Sequence, residues 1–481
     1  MSFNLRVEEL SCYQGCSATD VFANFEHLPW AMLLDTCNNK LSDGRYDIIV
    51  HSPIAKIAQQ SSGVSVDITA ADMEWDKRLV ASTKDCVFDL LTEVHDSFRA
   101  QINTHVLDTH PEFNKLPFLC GALGYFSYDL NTRLNTSHID DIHPEQYASA
   151  DASIGIYDQS LIFDNRTGKV FCCYLNEKRR KLLVVDHCQK SSSKAKRAFQ
   201  LTQKWTANLS ENEYTEQLTK VDEYIRAGDC YQINFAQRFS AKYSGSEWLA
   251  YEMLRSVNKA PFSSFIRLDK SCILSVSPER FLQVKNGIVE TKPIKGTRKR
   301  AAETQADKAL SDELLASEKD KAENLMIVDL LRNDLSKHCK PHSVTVPKLF
   351  SLESYPAVHH MVSTVLGELK ENVSPIALLK GAFPGGSITG APKVRAMQII
   401  QELEPDKRSI YCGSIGYIGV RNDMDTNICI RTILAENDTL YCWAGGGIVL
   451  DSDISSEYQE SLDKVARILP VLEESLKSDR S

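Results

Sequence analysis

The residue of this chain best placed for covalent chemistry is a lysine inside the run Pro293-Ile294-Lys295-Gly296-Thr297. It follows the short extended stretch Ile288–Lys292, with a proline ahead to fix the backbone and a glycine behind to let it turn. An amine projecting from so rigid a frame can attack an electrophilic carbon once its proton is gone. An ordinary surface lysine beside a turn is the competing reading, and the neighbouring motifs decide between them.

The first of these is Ser277-Pro278-Glu279-Arg280-Phe281. Glu279 closes one predicted strand and Lys295 closes the next, so a hairpin would bring acid and amine to one edge. An acid in that position can protonate a departing hydroxyl while the amine attacks. A solvated surface pair of Glu279 with Arg280 is the alternative.

The second is a pair of carboxylate pairs. Asp320 and Glu323 stand three apart on a predicted helix, and Glu457, Glu460 and Lys464 fall at i, i+3 and i+7 on another. On the latter they border an apolar stripe of Tyr458, Leu462, Val465, Leu469 and Leu472. Like charges so placed repel unless a cation neutralises them, and hard oxygen ligands with room for water suit Mg2+. Solvated acidic helix faces would explain each pair taken alone.

The third is glycine-rich backbone. Phe383-Pro384-Gly385-Gly386-Ser387-Ile388-Thr389-Gly390-Ala391-Pro392-Lys393 leads into a predicted helix and could present N–H groups to an anion. It lacks the Gly-Lys-Ser/Thr ending of a Walker loop. Ala444-Gly445-Gly446-Gly447-Ile448, just after a predicted strand, would let a ligand approach the backbone closely.

The elements that must hold these groups span a long chain. At 481 residues it exceeds the size of one simple core, so two closely packed subdomains or one large layered domain are expected. Apolar residues make up 43% and charged residues 25%, ordinary globular values. A net charge of −9 with interspersed signs gives no basic patch, which argues against nucleic acid as a partner. No apolar run is long enough for a bilayer and the first residues lack a signal-peptide core, so a cytoplasmic protein away from membranes is expected. The fourteen cysteines are scattered without a Cys-x-x-Cys pair, so zinc is not expected and most should be small buried hydrophobes.

Residues 190–197, polar and basic, read as an exposed linker or loop. Before it, strands are predicted at 31–34, 47–50, 119–125, 155–163 and 170–175, with a helix at 87–98. After it, Ser210-x-x-Glu213 forms a capping box that opens a helix ending near Gly228. Strands follow at 231–239, 262–268, 272–276, 281–284, 409–420, 427–436 and 439–443, and helices at 306–333, 374–381, 392–403 and 456–475. The mixture indicates an α/β or α+β class.

Taken together, SPERF, PIKGT, DKAENLMIVDLLRNDL, HHMVSTV, GGSITGAPKVRAMQII, CGSIGYIG, NICIRT, AGGGIV and SEYQESLDKV resemble the catalytic region of the chorismate-binding enzymes, in that family's order and spacing. The family includes anthranilate, aminodeoxychorismate, isochorismate and salicylate synthases. LPWAMLLDT and GALGYFSYDL resemble its leading region, so the likeness covers almost the whole chain. The resemblance implies a layered α/β/β/α sandwich, two facing and mainly antiparallel sheets with helices outside. It divides the chain into a leading region over 1–190, a linker or surface loop over 191–211 and a catalytic region over 212–475.

Anthranilate synthases carry alanine where Lys295 stands, whereas component I of the aminodeoxychorismate synthases carries lysine. The resemblance therefore implies amination of chorismate at ring carbon 4, on the route to 4-aminobenzoate and folate, with ammonia from a separate glutaminase subunit. It implies Mg2+ on Asp320, Glu323, Glu457 and Glu460, nucleophilic attack by Lys295, and proton donation by Glu279. Arg431, Tyr417, Ser387 and the backbone of Gly445, Gly446 and Gly447 would hold the substrate carboxylates. His360 would lie near the leaving hydroxyl, unless it is a buried structural histidine, and Lys464 near the metal-bound carboxylate.

Two departures from the family pattern are visible. Asp320 stands where relatives often have glutamate. Leu33-Leu34-Asp35-Thr36 replaces the Leu-Leu-Glu-Ser of feedback-regulated anthranilate synthases. A tryptophan-sized pocket is implied there, with plain core packing as the alternative. Anthranilate synthesis and a catalytically silent chorismate- or tryptophan-binding subunit are the competing functions.

Overall fold

The computed structural model describes residues 2–37, 44–69, 84–134, 142–184, 198–355 and 358–476. The segment 190–197, expected to be a linker, lies outside the described residues.

Among those residues the strands form a thirteen-stranded and an eleven-stranded sheet, plus a two-stranded parallel pair. Pairing within both large sheets is antiparallel. In the first, Gln232–Ser244, Thr439–Val449, Thr432–Glu436, Ser271–Ser277, Phe262–Arg267, Met32–Asp35 and Tyr46–Val50 lie side by side in that order. The second runs Ile294–Lys299, Val358–Glu368, Ile288–Thr291, Arg280–Lys285, Met424–Asn427, Ser414–Gly419, Gly121–Phe126 and Ala152–Tyr157. Each sheet thus takes strands from both ends of the chain.

Period-two alternation sorts the side chains into layers. Met32, Ile48, Ile273 and Leu434 point inward and join Ile57, Leu282, Ile415 and Met424 of the second sheet in one core. Their neighbours Leu33, Ile49, Leu274 and Ile433 point outward onto Trp248, Tyr251 and Leu254 of the helix Glu247–Asn258. The helix Val87–Arg99 covers the second sheet with Val87, Phe88, Leu91, Val94 and Phe98, all buried. This is the helix–sheet–sheet–helix layering of a sandwich.

The predicted capping box is present: Ser210 Oγ accepts from the Glu213 amide at 3.3 Å, and the Ser210 amide donates to Glu213 Oε2 at 2.8 Å. It opens the helix Glu211–Arg226, which buries Tyr214, Leu218, Val221 and Ile225. Ten described cysteines are buried thiols; Cys16, by contrast, is disulfide-bonded.

Several predicted elements divide. The stretch 155–163 becomes Ala152–Tyr157 and Gln159–Asp164, strands of different sheets, with Asp158 paired to Arg179 at the corner. The stretch 427–436 likewise splits into Met424–Asn427 and Thr432–Glu436 across the two sheets. The helix predicted over 306–333 is two, Thr304–Ala316 and Glu318–Ser336, because the Ser317 hydroxyl caps the second by accepting from the Asp320 amide at 3.2 Å. The helix predicted over 456–475 stops at Val465 and restarts at Leu469, where Pro470 fits only a first turn. The strand predicted over 439–443 continues to Val449, so Gly445–Gly447 lie inside a strand. Val358–Glu368, absent from the sequence-based assignment, pairs with the strand that carries Lys295.

Candidate active site

Two sheet-switching corners create the site. The chain leaves the first sheet at Ser277, turns through Glu279 and enters the second at Arg280. It returns by the reverse route, from Asn427 through Arg431 to Thr432. The corners lock together: Ser277 Oγ donates to the Ile428 carbonyl at 2.6 Å, and the Ile428 amide donates to the Glu279 carbonyl at 3.1 Å. Arg431 adopts a left-handed φ of 53° at its corner, within electrostatic reach of Glu279.

Lys295 arrives by the hairpin that the spacing suggested. Arg280–Lys285 pairs with Ile288–Thr291, and the chain then re-enters the sheet at Ile294–Lys299. That last strand is an edge strand, covered by the helices Thr304–Ala316 and Glu318–Ser336. Gly296, at φ 83°, permits the closeness, since a Cβ there would lie 2.8 Å from Leu314 Cδ1 and 3.0 Å from Asp320 Cγ.

The electrostatics suit acid–base work. Burial pushes the Glu279 carboxyl up to about 7, opposed by the Ser387 hydroxyl, Lys295, the Ile294 amide and Arg431. Ser387 Oγ donates to Glu279 Oε1 at 2.8 Å. Desolvation also drives the Lys295 amine below the ordinary lysine range, against the pull of Glu323 and Glu279. His360, paired by register with Thr297 and bonded to its hydroxyl through Nδ1 at 2.8 Å, is held neutral: burial and Arg431 drop it to about 3.

The carboxylates approach from two helices. Gly446 and Gly447 present a bare strand to them and to the amine. A Cβ on Gly446 would lie 3.1 Å from Glu457 Oε2 and 3.4 Å from Glu460 Oε1, and one on Gly447 would lie 3.2 Å from Lys295 Nζ. Lys464 Nζ donates to the Gly445 carbonyl at 2.8 Å and pairs with Glu460 at 2.7 Å. Asp320 is paired with Arg298 at 3.2 Å. Burial raises the carboxyls of Glu323 and Glu457, and Glu457 Oε2 is buried without a hydrogen-bond partner. Among the described residues no three His, Cys, Asp or Glu side chains converge tightly enough to enclose an ion on their own. An orphaned carboxylate oxygen beside Glu323 and Glu460 nevertheless fits a hard cation that also takes water or ligand oxygens.

A sequence model of the family described as chorismate binding enzyme matches residues 58–470. The chain belongs to that family. It is 45% identical over 452 residues to aminodeoxychorismate synthase component 1 of Escherichia coli (strain K12), covering 94% of this chain and 95% of the relative. To aminodeoxychorismate synthase component 1 of Klebsiella aerogenes it is 44% identical over 458 residues, covering 94% and 96%. Among solved structures, anthranilate synthase component I from Streptococcus pneumoniae TIGR4 superposes with a TM-score of 0.74 at 29% identity, over 90% of this chain and 93% of that one. No helix among the described residues is long and apolar enough to cross a membrane.

Within this member of the family, Glu279, Lys295, Ser387 and Arg431 meet at the corner. Glu323, Glu457, Glu460, Lys464, Gly446 and Gly447 border it, and His360 flanks it one strand away. Tyr417 does not join them. Its ring packs on Phe118, its charged neighbours are Asp425, Asp423, Arg280 and Arg421, and it lines a separate cavity between the sheets. Tyr417 pairs with Asp425 across the strands, so the corner reaches the site while this mid-strand position faces elsewhere.

Sequence reasoning missed Gln232. Its amide nitrogen lies 2.0 Å from the Cβ position that Gly447 leaves empty, and its Oε1 is buried without a partner. A lone glutamine in a strand has no spacing to betray it. Lys319 was missed as well; it sits four residues before Glu323 and acts electrostatically on Glu323, Glu457 and Glu460.

Proposed function

We propose that this chain is the chorismate-aminating subunit of an aminodeoxychorismate synthase, forming 4-amino-4-deoxychorismate through a covalent bond to Lys295. The observation that carries the reading is a neutralisable amine and a protonatable acid enclosed together, Lys295 lowered and Glu279 raised to about 7. Identity of 44–45% over nearly the full length to two aminodeoxychorismate synthase components supports the choice of product.

Arg431, which makes no hydrogen bond or ion pair with its guanidinium among the described residues, is suited to a substrate carboxylate. Lys295 attacks ring carbon 2 and gives up a proton as both ring double bonds shift one place toward carbon 4, where the carbon–oxygen bond breaks. Glu279 gives its proton to the departing hydroxyl, which leaves as water. Ammonia then adds at carbon 4, the electrons return, and the carbon–nitrogen bond to Lys295 breaks. Neutral His360 beside Thr297 can donate or accept a hydrogen bond near the leaving group without adding charge.

Glu323, Glu457 and Glu460, with Asp320 if it releases Arg298, are the residues that would hold Mg2+. When bound, the ion would withdraw electron density from the ring through its carboxylate. The relatives are named as component 1, which supports a second component; we read it as a glutaminase supplying ammonia in the cytoplasm.

The test is mass spectrometry of protein incubated with chorismate and Mg2+ but no ammonia. A peptide containing Lys295 should gain the mass of chorismate less one water. An unmodified Lys295, together with anthranilate as the main product once ammonia is supplied, would overturn the reading.

A second site concerns regulation. A cavity of about 460 Å³ between the sheets is lined by Leu34, Asp35, Thr36, Tyr46, Pro261 and Ser263 among others, which supports a pocket for an amino acid of tryptophan size. Asp35 is spent on Arg255 at 2.6 and 3.0 Å and Thr36 on Asp47 at 2.7 Å, so neither is free to signal occupancy. Calorimetry should detect tryptophan binding without inhibition; absence of binding leaves the strand as core.

A further inference from the structure

We propose that Lys393 is a positioning residue for the reaction's acid, a buried strut that keeps Ser387 against Glu279. At the end of a glycine-rich loop, Lys393 has the sequence context of an anion-binding lysine. The structure uses it otherwise. Its Nζ donates to Asp334 Oδ2 at 2.6 Å, to the Ala382 carbonyl at 3.0 Å and to the Pro384 carbonyl at 3.0 Å. An ammonium has three protons, so none remains for a ligand.

The partners explain what the strut joins. Asp334 belongs to the helix Glu318–Ser336, whose first turns carry Asp320 and Glu323. The two carbonyls flank Phe383 at the start of the loop, and Ser387 follows in the short turn Gly386–Ile388. That turn lies on the same helix, since a Cβ on Gly386 would come within 2.7 Å of Leu330 Cδ2. At its far end a second buried cation holds it: Arg408 donates to the Ile388 carbonyl at 3.1 Å while bound to Glu404 at 2.8 and 2.6 Å. Ser387 thus sits between two clamped carbonyls, and its 2.8 Å bond to Glu279 depends on both clamps.

The consequence is readable through the acid. Glu279 faces the Ser387 hydroxyl, Lys295, the Ile294 amide, Arg431 and the Cys412 thiol. The Ser387 bond favours the carboxylate, so losing it moves the acid to higher pH. The proposal rests on Glu279 being the acid of the proposed amination.

The experiment is the pH profile of ammonia-dependent chorismate amination, with a melting curve for each protein. Ser387→Ala should move the limb near neutrality to higher pH. The double variant Lys393→Met with Asp334→Asn, which removes both buried charges together, should move it the same way and lower kcat about tenfold. A double variant that melts earlier while its limb stays at the wild-type pH overturns the strut. If the double variant does not fold, Lys393→Arg, which keeps the charge but not the three-way contact, must show the shift; an unmoved limb again overturns it. A wild-type limb that survives Glu279→Gln would instead sink the assignment of the acid.

Discussion

The cavity beside Asp35 and the cleft around Lys295 are both polar, but they use their charges in opposite ways. Around the cavity the buried charges are paired, while the lining Lys115, Arg166 and Lys285 are exposed to solvent. Asp35 takes Arg255 and the Tyr251 hydroxyl, Arg45 binds Asp164 at 2.7 Å, and Arg280 bridges Glu290 at 2.9 Å and Asp425 at 3.0 Å. Around the cleft, Lys295, Glu323 and Arg431 make no side-chain hydrogen bond or ion pair among the described residues, and Glu457 Oε2 is an orphan. An unpaired charge away from water costs several kcal/mol, so a fold keeps one only where a ligand will complete it. Spent polarity marks structure, and unspent polarity marks chemistry.

That contrast can be broken by substitution. Lys295→Ala should cost the largest factor, at least about 10³ in turnover with glutamine or ammonia, while the melting temperature holds or rises. Substantial activity in this variant would end the covalent proposal.

Glu279→Gln should lower kcat by about 10² to 10⁴ and abolish the limb near neutrality. It also has a stability signature. The folded carboxyl lies near 7 against an ordinary 4.5, so its contribution is present below 4.5 and lost as pH rises through 7. A shift of that size corresponds to about 3 kcal/mol, and the glutamine variant should lack this decline in pH-dependent melting.

Glu457→Gln should raise the Mg2+ concentration needed for half-maximal activity by about tenfold. Without metal it should melt higher than wild type, because a strained buried carboxylate is gone. A lower melting point would mean that Glu457 is structural.

Asp35→Asn should have the smallest effect on turnover, within about twofold, while costing about 3 kcal/mol of stability by stranding Arg255. A large loss of kcat there would erase the distinction between the two regions.

The site was legible wherever its residues sit in short, dense motifs. Glu279 and Lys295 could be paired because a hairpin of fixed length separates them, and the Ser210–Glu213 cap because its contacts are local. Helical spacing placed Glu457, Glu460 and Lys464 together. Tyr417 was misplaced because strand alternation gives two faces without saying which one the site occupies. Lys393 carries the pattern of a ligand-binding lysine, and only its three buried acceptors reveal a strut. The stretch 155–163 reads as one apolar strand because nothing in its hydropathy records that Asp158 turns the chain into the opposite sheet.

The sequence by itself determined the chemistry available: an amine on a rigid strand, an acid one hairpin away, carboxylates on helix faces and bare glycine backbone. These follow from residue type and from periods of two and about 3.6, which are properties of the local chain. Tertiary structure alone decided which charges would go unpaired, since burial and partnership depend on strands and helices far apart in sequence meeting at two corners between the sheets.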